Sequence, residues 1–314
     1  MSTHQTLIAL QNWALKSTEV ARLWAPQLAQ YPLTRNTAIA SAALGFSYWV
    51  NRALNRLSLD NWTKAKRWDN EYELVLITGG CSDENVAFYR ADVTSSESIH
   101  AAGIKIRAEH GNPTVLINNA GVGSNSPMLE KSEAGIRQVF DVNTISHFLM
   151  VQEFLPDMIR NNHGHIVTIA SVVSFVGLGG WIDYCCSKAS APAFHEGLSQ
   201  ELSLWYDAPK VQTSIFHPAW VRTPLIESFA SSEEEFKQSI LEPEVVAEAV
   251  VKQILTQRGG QIILPENMFV ISLLRAFPYW MQRSMTAAAD KGLNAVYDRQ
   301  LKSSAGTKLQ SSQA

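Results

Sequence analysis

From Leu74 onward the sequence alternates short β-branched or apolar runs with stretches of helical length, a pattern that fits βαβ units around a parallel sheet. The runs are Leu74 to Thr78, Val86 to Ala91, Thr114 to Asn118, His165 to Ala170, Val211 to Phe216 and Gln261 to Leu264. Between them the spacing predicts helices. One follows Val93, with Thr94, Ser95 or Ser96 as its N-cap, and stops before Gly111 and Pro113. Others cover roughly Glu133 to Arg160, Asp183 to Trp205 and Pro243 to Gln257.

A chain of 314 residues has room for one α/β domain of about 250 residues and a terminal extension. Residues 1–72 form that extension, which is Trp-rich and helix-prone and has no strand pattern. Within it, Asn36 to Asn51 is free of charge and carries Tyr48 and Trp49 near its end, ahead of Arg52 and Arg56. It falls short of the roughly 20 apolar residues of a bilayer span and includes Thr37, Ser41 and Ser47. Two readings stay open: an interfacial or hairpin membrane anchor, or a peripheral helix packed on the domain. In the first case Lys64, Lys66 and Arg67 keep the rest of the chain on the cytoplasmic side. The domain proper is expected over 73–285. It ends in the segment Met268 to Met285, read as packing against the domain, a substrate lid or a membrane-facing helix. Residues 286–314, polar after Leu301, read as a mostly disordered tail.

A formal net charge of -3 with 18% charged residues offers no basic footprint, which argues against nucleic acid as a partner. Cys81, Cys185 and Cys186 are too few and too clustered for a disulfide framework, and no Cys/His spacing resembles a metal site, so a reducing compartment and no metal are expected. The opening residues lack the basic start and apolar run of a secretory signal, so the chain is not expected to be secreted.

The residues that carry chemistry are Ser171, Tyr184 and Lys188. Tyr184 and Lys188 stand at i and i+4 on one face of a predicted helix, so the ammonium lies beside the phenol and favours phenolate. A phenol that ordinarily titrates near 10 then becomes a usable acid or base. Ser171, delivered by the end of the strand from His165, is placed to hydrogen-bond a substrate oxygen. Asn118, Asn119, Ala120 and Gly121 follow a strand, where small residues let the backbone approach a ligand at the C-terminal sheet edge. Asn143 sits in a predicted helix interior, a position that disfavours Asn unless its side chain has a task.

Taken in order, Asp92, Asn118 to Gly121, Asn143, Ser171, Tyr184, Lys188 and the stretch His217 to Pro224 resemble the motifs of the short-chain dehydrogenase/reductase family over about residues 73–265. The text YCCSKASAPAFHEGL, the LEPE before the last helix and the hydrophobic extension look most like the membrane-associated retinol and 17β-hydroxysteroid dehydrogenase branch. The resemblance implies a doubly wound Rossmann-type parallel sheet with a helical N-terminal extension. It also implies an NAD(P)-dependent oxidoreductase interconverting a lipophilic alcohol, of retinoid, steroid or long-chain type, and its ketone or aldehyde. By position, Tyr184 is the acid/base, Lys188 lowers its pKa and holds the nicotinamide ribose, Ser171 orients the carbonyl and Asn143 supports a relay water. Thr78, Gly79, Asp92, Val93, Asn119, Ala120, Gly121, Tyr184, Lys188, Pro218, Val221 and Thr223 would contact NAD or NADP, with NADP favoured. Asp92 would meet adenine, and Thr223 the nicotinamide amide or phosphate. The family implies a homodimer and, for this branch, the cytoplasmic face of the endoplasmic reticulum or a lipid droplet, with the cytoplasm as the alternative.

One stretch departs from the family pattern of Thr-Gly-x3-Gly-x-Gly followed by a helix and a second strand. Here Thr78-Gly79-Gly80-Cys81-Ser82 runs into Asp83-Glu84-Asn85, and about thirty residues of an ordinary βαβ unit are missing. The lost helix N-terminus is what binds pyrophosphate, and Asp83 and Glu84 would repel it. The link Gly79 to Asn85 is also shorter than the dozen or so residues of a parallel crossover, which leaves a stretched link or an antiparallel hairpin leading into Val86 to Ala91. Beside the active enzyme stand two alternatives: a non-catalytic protein of the same fold, or a truncated gene product.

Overall fold

The computed structural model describes residues 32–64, 67–80, 86–226 and 240–287, together with Lys291, Leu293, Asn294 and Tyr297. Five parallel strands form one sheet: β1 (Val75–Ile77), β2 (Val115–Asn118), β3 (Gly164–Ile169), β4 (Val211–Pro218) and β5 (Gly260–Leu264). They stand side by side in chain order, with β1 next to β2 and β4 next to β5. This is the parallel architecture expected from the alternating runs and the Rossmann-type sheet that the resemblance implies, with a helical N-terminal region. In the described residues no strand lies between β1 and β2 in sequence, as the missing crossover requires.

Alternate residues of each strand face opposite layers. On one face Leu116, Ile166 and Val211 meet Ile99 and Ile106 of α2 (Ser96–His110), Phe154 and Met158 of α4 (Ser146–Asn161), and Leu198 and Leu202 of α5 (Ile182–Leu204). On the other, Val115, Ile117, Val167 and Phe216 meet Val250 and Ile254 of α6 (Pro243–Thr256). Local chemistry sets the helix ends as predicted. Ser95 caps α2 by accepting from Ser98 N, and Gly111 ends it at φ 92°, which a residue without Cβ adopts cheaply. The single helix expected over Glu133 to Arg160 is divided into α3 (Glu133–Phe140), one π-helical turn (Asp141–Ile145) and α4. Such turns break helical regularity most often where a side chain has a task.

The predicted strand over Val86 to Ala91 is not formed. Val86 makes only an isolated bridge, and the residues after it are irregular, with Phe88 59% exposed. The cause is the one anticipated for the link: too few residues separate this run from β1 to carry it back along the sheet. Neither a stretched parallel return nor a hairpin results. The segment instead lies along α2, where the Tyr89 hydroxyl donates to Glu109 Oε2 at 2.6 Å. The link itself, Cys81 to Asn85, lies outside the described residues.

By its packing the chain divides into a unit of residues 1–57 and a larger unit from Ser58. In the first, α1 (Pro32–Leu59) contains the uncharged stretch Asn36 to Asn51 and presents Ile39, Leu44, Phe46, Tyr48, Trp49 and Leu54 as exposed side chains. Among the described residues no helix is long and apolar enough to cross a membrane. In the larger unit, Glu266–Ala276 is a 3₁₀ run whose Leu274 is buried and whose Arg275 donates to Phe175 O, while Phe269 and Leu273 stay exposed. Leu293 is buried against the cluster of Val173, Leu178, Trp181 and Ile226. The polar tail after Leu301 lies outside the described residues.

Candidate active site

The C-terminal ends of the strands open into a cleft of about 790 Å³. Its base is assembled from three neighbouring elements. Ser171 follows β3, Tyr184 and Lys188 stand one turn apart on α5, and Pro218 ends β4 with Ala219 to Val221 and Thr223 after it. Asn119, Ala120 and Gly121, after β2, form the adjoining wall, and Gly79, after β1, closes one end. The outer walls are aliphatic and aromatic: Leu178, Trp181, Trp220, Leu225 and Ile226 on one side, Ile77, Ile117, Val246 and Val250 on the other. Among the described residues lining the cleft, Lys188 is the only side chain that carries a formal charge.

Hydrogen bonds fix these walls. Thr78 Oγ1 accepts from the backbone N–H groups of Asn119 and Ala120, both at 3.0 Å, and Asn119 Nδ2 donates to Thr78 O at 3.0 Å, which ties the end of β1 to the end of β2. Gly79 has φ 71°, and a Cβ there would stand 2.9 Å from Ala120 Cα, so only glycine fits this approach. Asn143, on the π-helical turn, accepts from Val122 N and donates to Val122 O, both at 2.8 Å, and also donates to Ser187 Oγ. Its amide is fully engaged in holding the loop after Gly121. His217 Nδ1 lies 3.1 Å from Ser171 O and its Nε2 lies 3.2 Å from Gln261 Nε2; because that amide nitrogen donates, the ring donates through Nδ1 to Ser171.

Burial dominates the electrostatics. It pushes the Tyr184 phenol up to about 12, with the neighbouring Cys185 sulfur adding to the rise and a hydrogen bond with Ser171 working against it. Lys188 is buried too, which brings its ammonium down to about 8. The lysine donates to Ile169 O at 2.8 Å and lies 5.8 Å from the Tyr184 ring centroid. The expected lowering of the phenol by Lys188 is therefore not the prevailing effect: desolvation disfavours the phenolate more than the lysine favours it.

Of the residues singled out in the sequence, Gly79, Asn119, Ala120, Gly121, Ser171, Tyr184, Lys188, Pro218, Val221 and Thr223 share the cleft. Thr78 and Asn143 stand behind its wall. Asp92 and Val93 are not among the lining residues. Asp92 Oδ1 accepts from Thr94 N at 2.9 Å and Thr94 Oγ1 at 2.7 Å, which engages that carboxylate oxygen in its own turn. Sequence reading missed the apolar wall of Leu178, Trp181, Trp220, Leu225 and Ile226. Trp220, within the stretch His217 to Pro224, was its only trace, and its ring meets that of Trp181 at 6.3 Å on this wall.

Comparison with known proteins identifies the family. The family described as short chain dehydrogenase matches residues 42–234. "Dehydrogenase RED2" of Cochliobolus heterostrophus is 34% identical over 227 residues, covering 62% of this chain and 85% of that protein, so part of the relative has no counterpart here. "Dehydrogenase RED3" of the same fungus is 52% identical over 131 residues, 42% of this chain and 67% of its own length. Human "Estradiol 17-beta-dehydrogenase 11" is 33% identical over 237 residues, 73% of this chain and 77% of its own. A short-chain type dehydrogenase/reductase from Mycobacterium marinum, at 21% identity and a TM-score of 0.50, covers 55% of this chain and 72% of its own and shares the fold. The chain belongs to the short chain dehydrogenase family, in its hydroxysteroid-dehydrogenase-like branch, whose members are oxidoreductases that act on CH–OH groups with NAD(P).

Proposed function

We propose that this chain interconverts a lipophilic alcohol of retinoid, steroid or long-chain type and its ketone or aldehyde, and that Ser171, Tyr184 and Lys188 carry the reaction. The observation that carries the reading is the cleft itself: an aliphatic and aromatic enclosure with the only charge among its described lining residues beside the catalytic tyrosine. An apolar enclosure with a few convergent polar groups favours a hydrophobic ligand and fixes its orientation through those groups. The cradle of Asn119 to Gly121, Lys188 and Thr223 fits the nicotinamide half of NAD(P), which when bound supplies the hydride. Tyr184 keeps its proton far above neutral pH, so it can donate that proton to a carbonyl oxygen in reduction and take one from the alcohol in the reverse step. Ser171 Oγ, hydrogen-bonded to Tyr184, is within reach of the same oxygen; its other bonds are long, donating to Pro218 O at 3.3 Å and accepting from Val173 N at 3.4 Å. The cofactor is NAD or NADP, with NADP favoured; the strand that ordinarily discriminates between them is missing from the sequence.

The exposed apolar side chains of α1, followed by Arg52 and Arg56, suit an interfacial anchor on the cytoplasmic face of the endoplasmic reticulum or a lipid droplet. Estradiol 17-beta-dehydrogenase 11 relatives support a steroid-like substrate by name. The second reading, a non-catalytic protein of this fold, is favoured by Asp83 and Glu84 in place of the glycines that would cradle pyrophosphate. Oxidation of NADPH or NADH by purified protein with a panel of retinoid, steroid and long-chain carbonyls separates the two. Turnover that disappears in Tyr184→Phe supports the enzyme. No turnover with any of the panel, together with no NAD(P)H binding, supports the non-catalytic protein.

A further inference from the structure

Lys131 and Asp183 form a buried ion pair beside the catalytic tyrosine. Nζ stands 2.9 Å from Oδ1, and the two side chains are 3% and 5% exposed. Lys131 lies between the short 3₁₀ turn Met128–Glu130 and Ser132, the N-cap of α3. Asp183 lies in the first turn of α5, immediately before Tyr184, and its Oδ1 also accepts from Tyr184 N at 2.9 Å. The same ammonium donates to Ser124 O at 3.1 Å and lies 3.4 Å from Ser124 Oγ. One cation therefore holds both the loop after Gly121 and the start of the catalytic helix.

That loop lies directly on the site. A Cβ at Gly123 would stand 2.8 Å from Tyr184 Cδ2 and 3.0 Å from Trp181 Cζ3, so the backbone there rests on both rings. Ser126 N donates to Gly180 O at 3.0 Å, and Asn143 grips Val122 from behind. Three points of attachment hold Val122 to Ser126, and the middle one depends on charge. Charges are seldom buried for stability alone, because desolvation offsets most of their attraction; the better attested use is to fix one arrangement among several.

We propose that Lys131 and Asp183 are positioning residues for the reaction, clasping the loop Gly121 to Ser126 against Tyr184 and so setting the place of its hydroxyl and the width of the cleft mouth. This rests on the reading of Tyr184 as the proton donor. Lys131 and Asp183 act through Ser124 and the backbone of Tyr184.

The experiment compares Lys131→Arg, Lys131→Met and the double variant Lys131→Met with Asp183→Asn in the full chain. The double variant removes both charges and so avoids leaving one buried alone. Two readouts are taken: steady-state carbonyl reduction with NADPH, and backbone hydrogen exchange of peptides over 119–127 and 182–190 with β3 as an internal reference. The double variant should lose roughly 10- to 100-fold in kcat with a smaller change in KM, and its loop should exchange at least about 10-fold faster while β3 is unchanged. Lys131→Arg should restore most of both. Unchanged loop exchange, or faster exchange everywhere with kcat per folded molecule preserved, overturns the clasp. If the unmodified chain turns over no carbonyl, the functional reading fails, and loop exchange alone decides whether Lys131 and Asp183 hold the loop.

Discussion

The two faces of the sheet are covered unequally. Three helices, α2, α4 and α5, bury Leu116, Ile166 and Val211 in one continuous cluster. The opposite face has α6 over its centre, and at the β1 edge Val75 and Ile77 remain 44% and 45% exposed although they point the same way as buried Val115 and Ile117. The difference follows from the shortened link after β1, which lacks the length for a crossover helix or a further strand. The proposed catalytic residues attach to β3 and α5, in the well-covered part. The diphosphate end of an NAD(P) site belongs beside β1, in the poorly covered part. On the proposed reading, the loss falls on cofactor affinity more than on the proton-transfer apparatus.

Four measurements can break or sharpen this contrast. Tyr184→Phe should lower carbonyl reduction by about 10³-fold, within the usual range for a positioned acid, with little change in melting temperature. A residual rate near that of the parent would remove the catalytic half of the comparison. Leu116→Ala should cost about 3 kcal/mol of stability by leaving a cavity on the three-helix face, and Ile77→Ala less than about 1 kcal/mol. Equal losses in urea unfolding would mean that the two faces are covered alike.

Acid provides the third test. Burial holds His147 and His165 down to about 3, and His195 and His217 to about 4, all below the ordinary value of 6.5. The unfolded chain therefore binds more protons between these limits, so stability is full above about pH 6.5 and is lost as pH falls toward 4. The loss should reach about 2 kcal/mol or more by pH 5, and exchange in α4 and α5, which carry His147 and His195, should rise before exchange in α6. A flat stability profile over this range would show those histidines to be solvated. Last, inserting a glycine-rich turn with its helix between Ser82 and Asn85 should tighten NADPH binding by roughly 30-fold, the factor that about 2 kcal/mol from a helix N-terminus represents. Tight binding by the unmodified chain would overturn the account of the lost helix.

The sheet was readable because each strand is a short apolar run whose partner is dictated by chain order; all five observed strands fall within a residue or two of the predicted runs. Ser171, Tyr184 and Lys188 were readable for a similar reason: two of them share a helix face and the third ends a strand. Val86 to Ala91 has strand composition but no room to reach the sheet, and composition carries no information about reach. The division of the helix at Asn143 was not readable, since the π-helical turn answers to Val122 and Ser187, far away in sequence. Lys131 looks in sequence like any surface lysine. Its partner Asp183 is supplied by a different element, and neither residue signals the other.

Leu293 gives the site a place in time. It packs with Val173, Leu178, Trp181 and Ile226, the apolar wall of the cleft, yet it is synthesised after all five strands. A nascent chain emerging at about 5–20 residues per second can build the sheet and begin burying its helices before this residue has left the ribosome. The scaffold can thus be in place before the residue that completes this apolar wall emerges.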